Sequence, residues 1–149
     1  MSDKAGGCIF CAAAAGEDDE ASLVVYRGRR VFVILNRYPY TNGHVMIAPY
    51  AHDKSLSASD AETLQELIGT MARTERILSE TYSTDGLNIG INLGSAAGAG
   101  IADHYHAHVV PRWKGDTNFM TVAAGVRVVP EELSVTRRKL APLFRLATA

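Results

Sequence analysis

The sequence predicts an α+β fold: a mostly antiparallel sheet of about five strands, with one long crossover helix and a C-terminal helix. Three observations carry this. Four short runs rich in β-branched and aromatic residues are separated by turn signals. One long stretch with helical periodicity separates the third run from the fourth. A fifth run, His104-Tyr105-His106-Ala107-His108-Val109-Val110, alternates strictly, as a half-buried strand does. Helices are expected on one face of the sheet. The other face is left for a ligand, a loop or a second subunit.

The elements follow in order. Residues 1–22 hold Cys8-Ile9-Phe10-Cys11 and then an Ala-rich, acidic stretch without apolar period, read as a surface loop or short helix. Leu23–Tyr26 and Val31–Leu35 form a hairpin about the turn Arg27-Gly28-Arg29-Arg30. Asn36 to Gly43 is a loop with an Asn-Gly step, and His44–Pro49 is the third strand. Ser59-Asp60-Ala61-Glu62 matches a capping box. It opens a helix to about Tyr82, with Leu64, Leu67, Ile68, Met71, Ile77 and Leu78 on its apolar face and Asp85-Gly86 ending it. Leu87, Ile89, Ile91 and Leu93 alternate with polar or small residues in a fourth strand. Gly94–Gly100 is a Gly/Ala/Ser loop whose short side chains let backbone amides approach a ligand. The His-rich strand ends at Pro111, a polar loop Gly115–Met120 follows, and a helix starts near Pro130-Glu131-Glu132.

The bulk properties narrow the function. The 149 residues, 47% of them hydrophobic, suit one compact domain over 1–149, with 130–149 as C-terminal helix and tail. A net charge of −1 and a pI near 6.5 provide no global basic field for nucleic acid or membrane surface. No apolar run approaches the roughly 18 residues of a spanning helix, and no hydrophobic signal region follows Met1. The expected compartment is the cytoplasm. There, the only two cysteines, Cys8 and Cys11, read as a metal-binding or redox pair rather than a structural disulfide.

The chemistry concentrates in the His-rich strand. On one face of a strand, His104, His106 and His108 line up, while Tyr105, Ala107 and Val109 point to the core. Close imidazoles repel when protonated, which gives no folding benefit and points to a functional cluster. Two chemistries fit: a zinc site, or nucleophilic catalysis on phosphorus with flanking imidazoles as donors. The glycine-rich segment before the strand supports the second, because phosphates need converging amides. Spacing does not separate them.

The run His104–Val110 resembles the motif of the histidine-triad (HIT) family, His-φ-His-φ-His-φ-φ. The resemblance extends from Cys8–Cys11, through Leu35-Asn36-Arg37-Tyr38-Pro39-Tyr40-Thr41-Asn42-Gly43-His44, to the C-terminal helix. Val109–Trp113 with Gly115–Met120 is similar to the branch containing bacterial diadenosine tetraphosphate phosphorylases. The resemblance implies a HIT-like fold and a homodimer. It implies that His106 attacks the α-phosphorus of an adenine nucleotide to form an adenylyl-histidine, that His108 donates to the phosphoryl oxygens or leaving group, and that inorganic phosphate or water completes the transfer. The leading expectation is phosphorolysis of diadenosine tetraphosphate to ATP and ADP, with magnesium accompanying the polyphosphate. A HIT-type hydrolase releasing AMP from dinucleoside polyphosphates or phosphoramidates is the alternative, and a non-catalytic nucleotide-binding module is the third reading.

The resemblance also implies roles for other residues. Asn36 contacts a ribose hydroxyl and Asn92 a phosphate. The Gly/Ala loop departs from the Gly-Gln-Ser/Thr step of other branches, which leaves Ser95 and the amides near Gly100 as phosphate contacts. His44 supports the triad from nearby. Zinc-containing relatives imply a closed site of Cys8, Cys11, His52 and His104. Zinc there makes His104 structural; otherwise it joins His106 and His108 at the phosphate.

Overall fold

The computed structural model describes residues 7–117 and 131–146. Its sheet has five antiparallel strands: β1 (Val24–Arg27), β2 (Val31–Leu35), β3 (Val45–Pro49), β4 (Gly86–Ile91) and β5 (Ala107–Arg112), in the spatial order β1-β2-β3-β5-β4. Four α-helices stand among the described residues: α1 (Ile9–Ala15), α2 (Asp19–Ser22), α3 (Ala61–Tyr82) and α4 (Leu133–Leu146). Helix α3 is the crossover. It carries the chain from β3 to β4, and β5 then returns into the space between them.

All five residues of β2 and of β3 are buried, which fits their continuous apolar character and their central place. They pack in one core with Leu67, Ile77 and Leu78 of α3, Leu140 and Phe144 of α4, and Phe10 and Ala13 of α1. Helix α1, with Cys8 as its N-cap and Cys11 inside it, is therefore anchored to the sheet by ordinary apolar burial, with each large side chain contributing about 1.5–3 kcal/mol. Arg27 adds a polar tie: its guanidinium donates to the carbonyls of Ala13, Ala14 and Gly16 at the end of α1 and pairs with Asp19 at 2.8 Å.

Several boundaries differ from expectation, each for a physical reason. Asp60, not Ser59, caps α3: its carboxylate accepts from the Thr63 N–H at 2.8 Å. Ser59 is drawn off to the Tyr105 hydroxyl, 2.6 Å away, and Glu62 pairs with Arg30. The buried stripe of α3 runs Thr63, Leu67, Thr70, Thr74, Ile77 and Leu78, while Ile68 is 62% exposed. Threonines can face the core here because Thr74 gives its hydroxyl proton to the Thr70 carbonyl one turn back, at 2.7 Å. The helix ends at Ser83, whose φ of 48° supplies the left-handed cap before Asp85-Gly86 is reached. Strand β4 stops at Ile91, before Leu93, and α4 starts at Leu133, after the two glutamates.

The most consequential difference concerns the histidines. Strand β5 begins only at Ala107, so His104, Tyr105 and His106 precede it in irregular backbone. Tyr105, Ala107 and Val109 are nonetheless fully buried, as alternation requires. The expectations placed on Asn118–Met120, on Pro130 and on the tail beyond residue 146 lie outside the described residues.

Candidate active site and metal centre

Beyond β2, the chain makes the loop Asn36–Gly43 and returns as β3 at the level of β5. Gly43 permits that return. Its φ is +81°, and a Cβ there would lie 2.9 Å from the Tyr82 ring and 3.3 Å from Pro111. The loop thereby delivers His44 beside the histidines at the start of β5, where it is 1% exposed.

The imidazoles form a row with defined proton positions. The His106 Nδ1 lies 3.0 Å from the His104 carbonyl oxygen. A carbonyl only accepts, so Nδ1 carries the proton and Nε2 presents a lone pair. At His44, the Tyr40 backbone N–H donates to Nδ1 at 3.2 Å. The proton of His44 therefore sits on Nε2 and is donated to the His108 Nδ1, 2.9 Å away. That places the proton of His108 on its own Nε2. The Asn36 amide nitrogen, 3.5 Å from His44 Nε2, is too long and faces another donor, so it makes no bond there; its Oδ1 instead accepts from the Tyr38 N–H at 2.8 Å.

The rings of His106 and His108 sit 4.9 Å apart, close to edge-on. Phe10 of α1 backs the row with its ring 4.6 Å from His106 and 5.2 Å from His104. Burial holds the pKa of His106 below the ordinary imidazole value, and burial with neighbouring His106 does the same for His108. His44 is pushed down to about 4, by burial first and then by the two other imidazoles. At neutral pH the row is uncharged, which keeps a nucleophilic nitrogen available. The arrangement thus pairs a lone-pair nitrogen with an N–H donor, both aimed from one strand end.

His104 is turned the other way. It is fully buried, and its Nε2 donates to the Pro49 carbonyl at 2.8 Å. Its Nδ1 faces Cys8 Sγ at 3.4 Å, Cys11 Sγ at 3.6 Å and His52 Nδ1 at 3.2 Å, with Cys11 Sγ 3.1 Å from His52 Nδ1. Both of its ring nitrogens are engaged, so neither is left for a phosphate.

Does this cluster suit a cation? The four ligand atoms of Cys8, Cys11, His52 and His104 lie within 4.8 Å of one another. Tetrahedral zinc with sulfur and nitrogen ligands has edges of about 3.3–3.8 Å. The contacts of 3.1–3.6 Å match that size. The proton inventory agrees. The His104 Nδ1 carries no hydrogen, and one His52 proton cannot serve Cys11 and His104 together. A central cation satisfies all four lone pairs at once. The Cys11 N–H also points to Cys8 Sγ at 3.5 Å, as suits a thiolate ligand. Without metal, burial and then Cys8 push the Cys11 thiol up. The residues fit a closed structural zinc site.

The remaining expected contacts are spread along the chain between β4 and His104. Asn92, Ser95 and Gly100 are all exposed, with Ser95 in a short 3-10 turn. Opposite His108 across the β4–β5 ladder lies Gly90, where a Cβ would meet nothing within 4 Å. The face beside His108 is therefore open. Arg112 forks onto Asp116 at 2.6 and 2.9 Å, which holds that carboxyl well below the usual carboxylate range; both groups are committed to each other. Trp113 donates to the Tyr82 carbonyl at 3.0 Å and is half-buried.

Two contributors escaped the reading of motifs. Phe10 was the spacer inside Cys-x-x-Cys, and Tyr40 was one residue of a turn-rich loop. Tyr40 packs its ring 4.7 Å from His44 and gives that residue its tautomer. The signal for both was an aromatic residue within a stretch otherwise assigned to ligands or turns.

The chain is similar to known proteins in sequence and in fold. The family model described as HIT domain matches residues 17–115. A protein of Mycobacterium tuberculosis named AP-4-A phosphorylase is 44% identical over 124 residues, which are 83% of this chain and 63% of that relative. This chain thus spans less than two thirds of that relative's length. Protein hit of Bacillus subtilis is 32% identical over 113 residues, 75% of this chain and 76% of that protein. Among solved structures, a Zn-bound histidine triad family protein from Mycobacterium smegmatis superposes with a TM-score of 0.76 at 31% identity, covering 95% of this chain and 96% of the other.

Proposed function

We propose a nucleotidyl-transfer function from one premise: this chain belongs to the HIT domain family. The protein cleaves diadenosine tetraphosphate by phosphorolysis, through an adenylate carried on His106. The observation that carries this reading is the pair of proton positions on His106 and His108, one Nε2 with a lone pair and one with a hydrogen. The similarity to the relative named AP-4-A phosphorylase supports the choice of substrate.

The sequence of events uses those two atoms. His106 Nε2 attacks the α-phosphorus, and the bond from that phosphorus to the bridging oxygen breaks. The proton on His108 Nε2 passes to that oxygen, so ATP departs as a stable product. Inorganic phosphate then gives its proton back to His108 Nε2 as it attacks the adenylyl-phosphorus, the bond from phosphorus to His106 breaks, ADP leaves, and His106 regains its lone pair. Splitting one displacement into two lets a preorganised nitrogen replace a poorly oriented acceptor. Magnesium enters as part of the polyphosphate substrate.

Asn36, at the end of β2, is assigned to the ribose; its Oδ1 contact to Tyr38 holds the side chain in place. Asn92, Ser95 and the amide of Gly100 are assigned to the phosphates, from a segment rich in small residues. Zinc on Cys8, Cys11, His52 and His104 would supply a rigid anchor rather than chemistry, fixing the carbonyl of His104 that orients His106. The reading treats residues 1–149 as one domain, working as a cytoplasmic homodimer. In the described residues no helix is long and apolar enough to cross a membrane.

The test is product analysis after incubation with diadenosine tetraphosphate, with and without phosphate. ATP plus ADP, appearing only with phosphate, is the expected result. ATP plus AMP without phosphate reassigns the acceptor to water. Tight nucleotide binding with no turnover reassigns the protein to a binding role.

A further inference from the structure

The loop that delivers His44 also carries two aromatic rings that the fold leaves uncovered. Tyr38 is 79% and Tyr40 70% exposed. Single exposed tyrosines are ordinary. The position of Tyr40 is not. Its ring lies 4.7 Å from His44 and 6.4 Å from His108, only 22° from the plane of the latter. One side of Tyr40 is thus spent on the imidazoles, and the rest of the ring is open to solvent.

Tyr40 also ends a row. Phe10, His106, His108 and Tyr40 follow one another with ring separations of 4.6, 4.9 and 6.4 Å. Phe10 is fully buried at one end, while Tyr40 is exposed at the other. The nucleophile stands at the buried side and the proton donor at the open side. A group that leaves with the proton of His108 departs next to Tyr40. The loop holding Tyr40 is tethered rather than loose. Its N–H is bonded to His44, Thr41 donates to the Pro111 carbonyl at 2.8 Å, and Tyr38 is bonded to Asn36. A stacking surface in a tethered loop loses little entropy on use.

We propose that Tyr40 is a specificity residue that stacks the base of the departing nucleotide, so that the substrate is gripped at its second nucleoside as well as its first. The inference deepens the function proposed above and rests on it. Base–aromatic stacking tolerates any base and needs only an accessible ring, which Tyr40 offers. The tether of three phosphates and a ribose is flexible and longer than the gap between the His108 and Tyr40 rings, so the second base can fold back onto the ring. On the other flank of His108, toward β4, Gly90 adds no side chain, so the imidazole is uncovered there as well.

The experiment compares diadenosine tetraphosphate with adenosine 5′-tetraphosphate, which has the same reacting adenylate but no second nucleoside. The ratio of their kcat/KM values is measured for the unmodified protein, Tyr40→Leu and Tyr40→Phe. Tyr40→Leu should lower the ratio by about fivefold to a hundredfold. Tyr40→Phe, which keeps the ring, should hold it within about twofold. Equal losses on both substrates would reduce Tyr40 to a prop for His44 and overturn the proposal, as would an unmoved ratio. If the unmodified protein turns over neither substrate, the function proposed above falls and this inference falls with it; turnover of both with no selective loss sinks this inference alone.

Discussion

The Nε2 of His44 lies 2.9 Å from the Nδ1 of His108, and the backbone N–H of Tyr40 determines which of them donates. A main-chain group thereby sets the proton position on a side chain two links away. Removing the middle link should blur that position. His44→Phe keeps an aromatic ring in the buried slot but cannot donate to His108. The expected result is a fall in kcat on the order of 10²-fold, the usual scale of one general acid, with KM changed by less than about threefold. Circular dichroism and a melting curve serve to separate loss of chemistry from loss of fold. A kcat within threefold of the unmodified protein would dismiss the relay.

The same burial has a signature in stability. The His44 pKa is depressed to about 4 in the folded state, against 6.5 for the ordinary imidazole. Between those values the unfolded chain takes up a proton that the folded chain refuses, so stability must rise with pH across this window. The cost from His44 alone is about 2 kcal/mol on going from pH 7 to pH 5. His106 and His108, also depressed, act in the same direction. Urea unfolding at pH 7 and pH 5 should therefore show a midpoint drop that is smaller in His44→Gln. An equal drop in both proteins would place the pH dependence elsewhere.

The succession of strands and helices along the chain, the crossover helix and the cluster of imidazoles were legible from periodicity, because one buried face dictates period two in strands and 3.6 in helices. What periodicity could not convey was competition between partners. Ser59 looked like a cap but was claimed by Tyr105, and Asp60 took its place. Thr70 and Thr74 looked polar but face the core, and Thr74 donates its hydroxyl to the Thr70 backbone carbonyl. Alternation alone makes His104, His106 and His108 equivalent, and only the family resemblance set their roles apart. Because β5 starts at Ala107, the backbone before it is free to turn His104 toward the cysteines while His106 leans on the carbonyl of His104. Ser59 and His104 were decided by partners distant in sequence, which no local pattern encodes.

That division of the histidines predicts the effect of metal removal. If Cys8, Cys11, His52 and His104 hold zinc, a chelator strips an anchor that joins α1 to the start of β5. Phe10, which lies between the two cysteines and packs on His106, is then released with it. Purified protein should contain about one zinc per chain, and chelation or Cys11→Ser should lower Tm by several degrees or more. Activity should fall in parallel, and adding zinc back should restore both in the chelated protein but not in Cys11→Ser. A metal content below about half an equivalent, with Tm unmoved by chelator, would refute the site.

Gly43 offers a test of the loop itself. Its φ of +81° is costly for any residue with a side chain, and an added Cβ would press within 2.9 Å of the Tyr82 ring. That ring is not free to yield. Its hydroxyl donates to Glu131 at 2.7 Å, and Lys139 sits over its face, 5.5 Å from the centroid. The neighbouring Asn42 accepts from the Glu131 N–H at 2.8 Å, so both sides of the contact are tied to the start of α4. Gly43→Ala should therefore cost about 1–3 kcal/mol, read as a lower denaturation midpoint. Because the strain enters one residue before His44, kcat should fall more than the stability loss alone explains at a temperature where the variant is fully folded. A variant as stable and as active as the parent would mean that the turn relaxes without disturbing His44.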